Sequence, residues 1–114
     1  MSPITTHVLD TARGKPAEGI IVRLDRQDSD GAWIHLAQGA TNRDGRIASL
    51  LPDDARLDTG VYRLRFLTDA YFASLGVRGF YPEVPVHFHY NPVEGHYHVP
   101  LLLSPFGYST YRGS

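Results

Sequence analysis

The sequence predicts an all-β sandwich with one short helix, and three observations carry that prediction. Apolar residues recur with a period of two along most of the chain. Turn-forming residues interrupt these runs at short intervals. A single segment follows helical spacing instead.

The elements follow in order. Ile4, Thr6 and Val8 alternate with Thr5, His7 and Leu9, and Ile20, Val22 and Leu24 alternate with Ile21, Arg23 and Asp25. Tyr62, Leu64 and Phe66 alternate with Val61, Arg63 and Arg65, and Val86, Phe88 and Tyr90 alternate with His87 and His89. Each run reads as a strand with one apolar face. Arg13–Pro16, Asp28–Gly31, Asn42–Gly45 and Asn91–Pro92 supply turn chemistry between runs. Strands are expected near 4–10, 20–27, 32–39, 46–48, 60–67, 84–90, 95–103 and 106–111. Between the fifth and sixth, Thr68 offers a cap, Gly76 a stop, and Tyr71, Phe72 and Leu75 share one helical face. A helix of about two turns is too short to stand alone and must pack on a sheet.

At 114 residues the chain suits one domain, 1–114. Eleven basic and twelve acidic side chains leave a formal charge of -1, so no field draws nucleic acid or an anionic membrane, and neither partner is expected. The absence of cysteine rules out disulfides, thiol nucleophiles and thiolate metal sites, which fits a cytoplasmic setting. The N-terminus has neither a basic region nor an apolar stretch of the secretory kind. The best apolar run, Val99 to Leu103, is short and interrupted by Pro100.

Histidine and arginine are the available chemistry. Four of the six histidines form two pairs, His87/His89 and His96/His98, and residues two apart on a strand face the same way. Such pairs can ligate a metal, but polar residues belong on an outer strand face anyway, and no metal site is expected. Taken singly, His7 reads as a solvated or hydrogen-bonded histidine, Arg46 as a surface arginine, and Tyr111 and Arg112 as packing for the terminus. No nucleophile elbow, nucleotide-binding glycine loop or zinc-protease motif is present. Imidazole and guanidinium suit hydrolysis of a reactive, planar, anionic substrate. The closing residues from His96 to Ser114 run aromatic side chains and an arginine up to the end, which points to a packed tail, since chain ends are usually frayed and polar.

The opening block Thr5–Ala17, Thr41–Arg46, Tyr71-Phe72 and the block His96–Ser114 together resemble the transthyretin-related proteins in order and over essentially the whole chain. His7, Arg46 with His98, and the ending Tyr111-Arg112-Gly113-Ser114 place the resemblance in the 5-hydroxyisourate hydrolase branch rather than the thyroid-hormone carrier branch. The resemblance implies a transthyretin-like sandwich of two four-stranded antiparallel sheets, one ordered fourth, first, seventh, eighth strand. It implies that His7 and His98 project from adjacent strands on the outer side. It further implies a homotetramer of two dimers, with sites in the channel between them, and a purine-derived substrate opened by hydrolysis without metal or cofactor. His7, Arg46 and His98 would be catalytic, and Tyr111, Arg112, Gly113 and Ser114 would line the substrate. The alternatives are a non-catalytic carrier of a planar aromatic ligand in the same channel, and a metal-binding module built on the two histidine pairs.

Overall fold

The computed structural model describes residues 2–113. One sheet is built from four antiparallel strands, of which three alternate as expected and the edge strand Trp33–Ala40 buries no residue. Their residue ranges are β4 (Ile21–Gln27), β5 (Trp33–Ala40), β6 (Gly60–Leu67) and β7 (Val84–Tyr90), in the order β5-β4-β6-β7. Val22, Leu24, Tyr62, Leu64, Phe66 and Val84 point inward and are fully buried. Pairing between β4 and β5 slips at Leu24/Asp25, and on the other side of β4 Asp25 stands directly opposite Arg63, whose Nε–H donates to its carboxylate (2.7 Å).

The facing sheet is interrupted where the sequence interrupts it. The first predicted strand divides into β1 (Ile4–Thr5) and β2 (Val8–Asp10), with His7 between them. The seventh divides into β8 (Tyr97–His98) and β9 (Leu101–Ser104) at Val99-Pro100, where proline has no N–H to give the ladder. Pairs β1–β8 and β2–β9 are in step along the chain, and the bonds Val99 N–H to Thr5 O (2.9 Å) and Leu101 N–H to His7 O (2.9 Å) join them into one ribbon. This central pair runs parallel, unlike the rest of the sandwich. β10 (Gly107–Thr110) borders β9 as expected for the last strand.

Two local expectations change. Residues 46–48 do not form a strand. Arg46 makes one antiparallel bridge to His7, and Ile47 then leaves the sheet to pack on Gly39 of β5, where a Cβ would sit 2.8 Å from the Ile47 side chain. A short strand not anticipated, β3 (Lys15–Pro16), pairs with β2 along the same edge. Otherwise the order across the sheet, Arg46 bridge, first strand, penultimate strand, tail, is the expected one.

Helix α1 (Thr68–Ser74) lies in its predicted place, with Tyr71 and Phe72 buried and Leu75 packed against the core. Thr68 does not cap it. Its hydroxyl donates to the carbonyl of Tyr81 (2.9 Å), tying the helix start to the following loop. The Tyr71 hydroxyl donates to the carboxylate of Asp10 (2.6 Å), a residue only 1% exposed. Burial, then this bond, raises the Tyr71 phenol above its ordinary pKa. Tyr71→Phe therefore leaves a buried carboxylate with less to hold it. We expect a loss of about 1–3 kcal/mol, read as a lower urea midpoint at unchanged slope, and an unchanged midpoint would show that the bond contributes nothing. No helix of the described residues is long and apolar enough to cross a membrane.

Candidate active site

The site is assembled on the outer face of the interrupted sheet, from three neighbouring segments. Because side chains alternate on a strand, Ile4, Thr6 and Val8 enter the core while Thr5 and His7 turn outward. On the next strand Tyr97 and Val99 turn inward, and His96 and His98 turn outward.

His7 is fixed by the turn that follows β5. Asn42 organises that turn: its side-chain oxygen accepts from the N–H of Asp44 (2.9 Å) and of Arg46 (3.1 Å). Gly45 takes φ +77, and a Cβ there would lie 2.4 Å from the Val8 carbonyl and 3.2 Å from the His7 ring. The turn thereby presses the Asp44 carbonyl onto His7 Nε2 at 2.8 Å. A carbonyl only accepts, so Nε2 carries the proton and Nδ1 is left bare in the neutral ring. Gly45→Ala must move the turn or the strand. We expect it to destabilise the fold by about 1–3 kcal/mol. A lowered thermal midpoint checks this, and an unchanged one would show that the turn yields freely.

Arg46 leaves the same turn with its backbone bridged to His7 and its side chain exposed. Its charge reaches His98. Burial first, then the Arg46 guanidinium and the neighbouring His96 and His7 side chains, hold the His98 imidazole below its ordinary value of 6.5. His98 is thus kept neutral at neutral pH, as a general base must be. The Thr5 hydroxyl lies 2.8 Å from His98 Nδ1 and 2.8 Å from His96 Nε2. The rings of His96 and His98 lie nearly parallel, 6.4 Å apart.

The tail reaches this cluster at one residue. Gly113 bridges His98, donating its N–H to the His98 carbonyl (2.8 Å), and a Cβ on it would lie 2.7 Å from the imidazole Cδ2. Only glycine lets the chain lie flat on that ring. Arg112 faces the other way. Its guanidinium sits 4.0 Å over the Tyr97 ring and donates to Glu94 (3.1 Å), on the side of the sheet opposite His98. Tyr111 is 57% exposed. Ser114 lies outside the described residues.

Three of the expected residues, His7, Arg46 and His98, are therefore brought together, with Gly113 against them. Tyr111 and Arg112 instead border a cleft of about 640 Å³, between the edge of β7 and the tail, whose other lining includes His87 and His89. A cleft of that size can hold a small molecule, but it contains none of the three residues. The two histidine pairs do not converge either. His87 packs on Trp33, 5.0 Å between ring centres, and among the described residues no group of three or more metal-ligating side chains is placed to hold an ion. The sequence reasoning passed over Thr5, and it weighed His96 only as half of a metal-ligating pair. Their signal was their position, each two residues before a singled-out histidine and so on the same face.

Known proteins resemble this chain throughout its length. The model of the HIUase/Transthyretin family matches residues 4–113. A 5-hydroxyisourate hydrolase of Salmonella typhi is 50% identical over 111 residues, covering 97% of this chain and 80% of that protein. The solved structure of Klebsiella pneumoniae 5-hydroxyisourate hydrolase superposes with a TM-score of 0.86 at 40% identity, covering all of both chains. Sea bream transthyretin in complex with thyroxine superposes with a TM-score of 0.91 at 34% identity, covering 97% of this chain and 94% of that one. Shape alone therefore does not separate hydrolase from carrier, and the residues on the outer sheet face must. On sequence and structure together, the chain belongs to the HIUase/Transthyretin family.

Proposed function

We propose that this chain hydrolyses 5-hydroxyisourate to 2-oxo-4-hydroxy-4-carboxy-5-ureidoimidazoline. The observation that carries the reading is the gathering of His7, His98 and the Arg46 charge on one outward sheet face, with His98 held neutral. His98 takes a proton from water as the water attacks the carbonyl of the six-membered ring. Its Nε2 is the free position, since Nδ1 is engaged by Thr5. Arg46 orients the anionic substrate and stabilises the negative charge that develops on the carbonyl oxygen. His7, with Nε2–H committed to Asp44, keeps Nδ1 to accept from a substrate N–H. The ring C–N bond then breaks, and the departing nitrogen takes up the proton held by His98. Each of these groups belongs to the protein, and the step calls for no metal or organic cofactor.

An exposed sheet face is too flat to enclose a small molecule. We therefore propose a homotetramer of two dimers, in which a second dimer covers each site and closes it into a channel. Among the described residues the outer edges of β7 and β10 pair with no further strand, which suits strand-to-strand pairing in the first dimer. Tyr111, Arg112, Gly113 and Ser114 would line the channel mouth, Arg112 leaving Tyr97 and Glu94 and crossing to the imidazole side to do so. A cytoplasmic location is in keeping with the cysteine-free composition.

The test is the ultraviolet decay of freshly generated 5-hydroxyisourate. Acceleration well above the spontaneous rate is expected. Decay at the spontaneous rate, with the ligand nonetheless bound, would favour the carrier reading instead.

A further inference from the structure

One contact near the site has a consequence for which nitrogen of His98 can act. The Thr5 hydroxyl sits between two imidazole nitrogens, His98 Nδ1 and His96 Nε2, at 2.8 Å from each. Both distances are those of full hydrogen bonds. A hydroxyl has a single proton, so it donates to one ring and accepts from the other. Only two arrangements satisfy both bonds with neutral rings. In the first, His98 Nδ1–H donates to Thr5 and Thr5 donates to His96 Nε2. In the second, His96 Nε2–H donates to Thr5 and Thr5 donates to His98 Nδ1. The hydroxyl therefore couples the two rings: the tautomer of one dictates that of the other.

The two arrangements differ in what His98 offers on its far side. In the first, Nε2 carries a bare lone pair and can accept a proton. In the second, Nε2 already carries the proton and the ring cannot act as a base. Turning the imidazole over would put Cδ2 against the Thr5 hydroxyl and forfeit the bond to Nδ1. We infer that Thr5 and His96 are positioning residues that hold His98 with its proton on Nδ1, leaving Nε2 as the basic atom. The coupling of the two rings rests on this geometry alone, whereas the choice of the first arrangement rests on the hydrolase reading, which needs a bare Nε2. Thr5 suits the task because it is β-branched on a strand, where χ1 is stiff and the hydroxyl is held in one direction. His96 suits it because a neutral Nε2 accepts, whereas a lysine or arginine there could only donate.

The experiment compares Thr5→Val, which keeps the shape and loses the hydroxyl, with Thr5→Ser, which restores it. In the wild-type protein the ¹⁵N signals of the His98 ring are expected to show protonated Nδ1 and bare Nε2. Thr5→Val should release the ring into a mixture of tautomers and lower kcat about 10-fold with KM unchanged, and Thr5→Ser should recover both. A Thr5→Val protein that keeps the single Nδ1–H tautomer overturns the proposal, whatever its rate. So does a rate loss that serine does not restore in a protein with the wild-type thermal midpoint. Should the wild-type protein fail to hydrolyse 5-hydroxyisourate, the function falls, while the ring signals still decide the coupling.

Discussion

Replacing His98 with alanine lowers kcat for 5-hydroxyisourate by about 10²–10⁴, the usual worth of a positioned general base. The fold should survive, because the ring is on the outer face and the strand is held by backbone bonds on both sides, from Gly113 and to Thr5. KM should change little, since substrate orientation falls to Arg46 and His7. Steady-state rates on the purified variant, with thermal unfolding as a control, check this. A variant within threefold of the wild-type rate would remove His98 from the proton-transfer step.

Replacing Arg46 with alanine lowers kcat by about 10²–10³, the usual effect of losing one group that stabilises a developing oxyanion, and it also moves the pH profile. The base works only while His98 is neutral. Burial and the neighbouring basic side chains hold its pKa below 6.5, so wild-type activity persists below that pH and fades as the pH falls through the lowered value. Arg46 is one of those side chains. Without it His98 protonates more readily, and the acid limb shifts up in pH, with burial, His96 and His7 still holding part of the depression. Arg46→Lys separates the two roles. The charge remains, so the limb should stay, whereas the planar donor fork is lost and kcat still falls. A profile unmoved in Arg46→Ala would mean that the guanidinium does not face His98.

Most of the sandwich was legible because period-two alternation encodes burial directly. Tyr62, Leu64 and Phe66 are fully buried, and Arg63 and Arg65 turn outward to meet Asp25 and Glu83. The failures lie where a long-range partner decides. Residues 46–48 look like a strand, but the bare backbone of Gly39 draws Ile47 into the core after one bridge. Thr68 looks like a helix cap, but the Tyr81 carbonyl, thirteen residues on, takes its hydroxyl. The site divides in the same way. His7, Arg46 and His98 are each unremarkable in isolation, and it was family resemblance that joined them. Geometry adds what the resemblance lacked: Asp44 sets the His7 tautomer, Gly113 lies against His98, and Arg112 rests on Tyr97 instead of among the imidazoles. None of these contacts leaves a periodic trace, because each depends on how separate segments meet.

The central claim is that substrate meets the protein at the outer sheet face and not in the cleft beside β7. Titration with urate, a planar purine that this hydrolysis cannot consume, followed by the ring signals of all six histidines, tests it most directly. The account predicts that His7 and His98 shift together as urate is added while His87 and His89 stay in place. Movement of His87 and His89 with His7 and His98 unchanged would put the ligand in the cleft and contradict it.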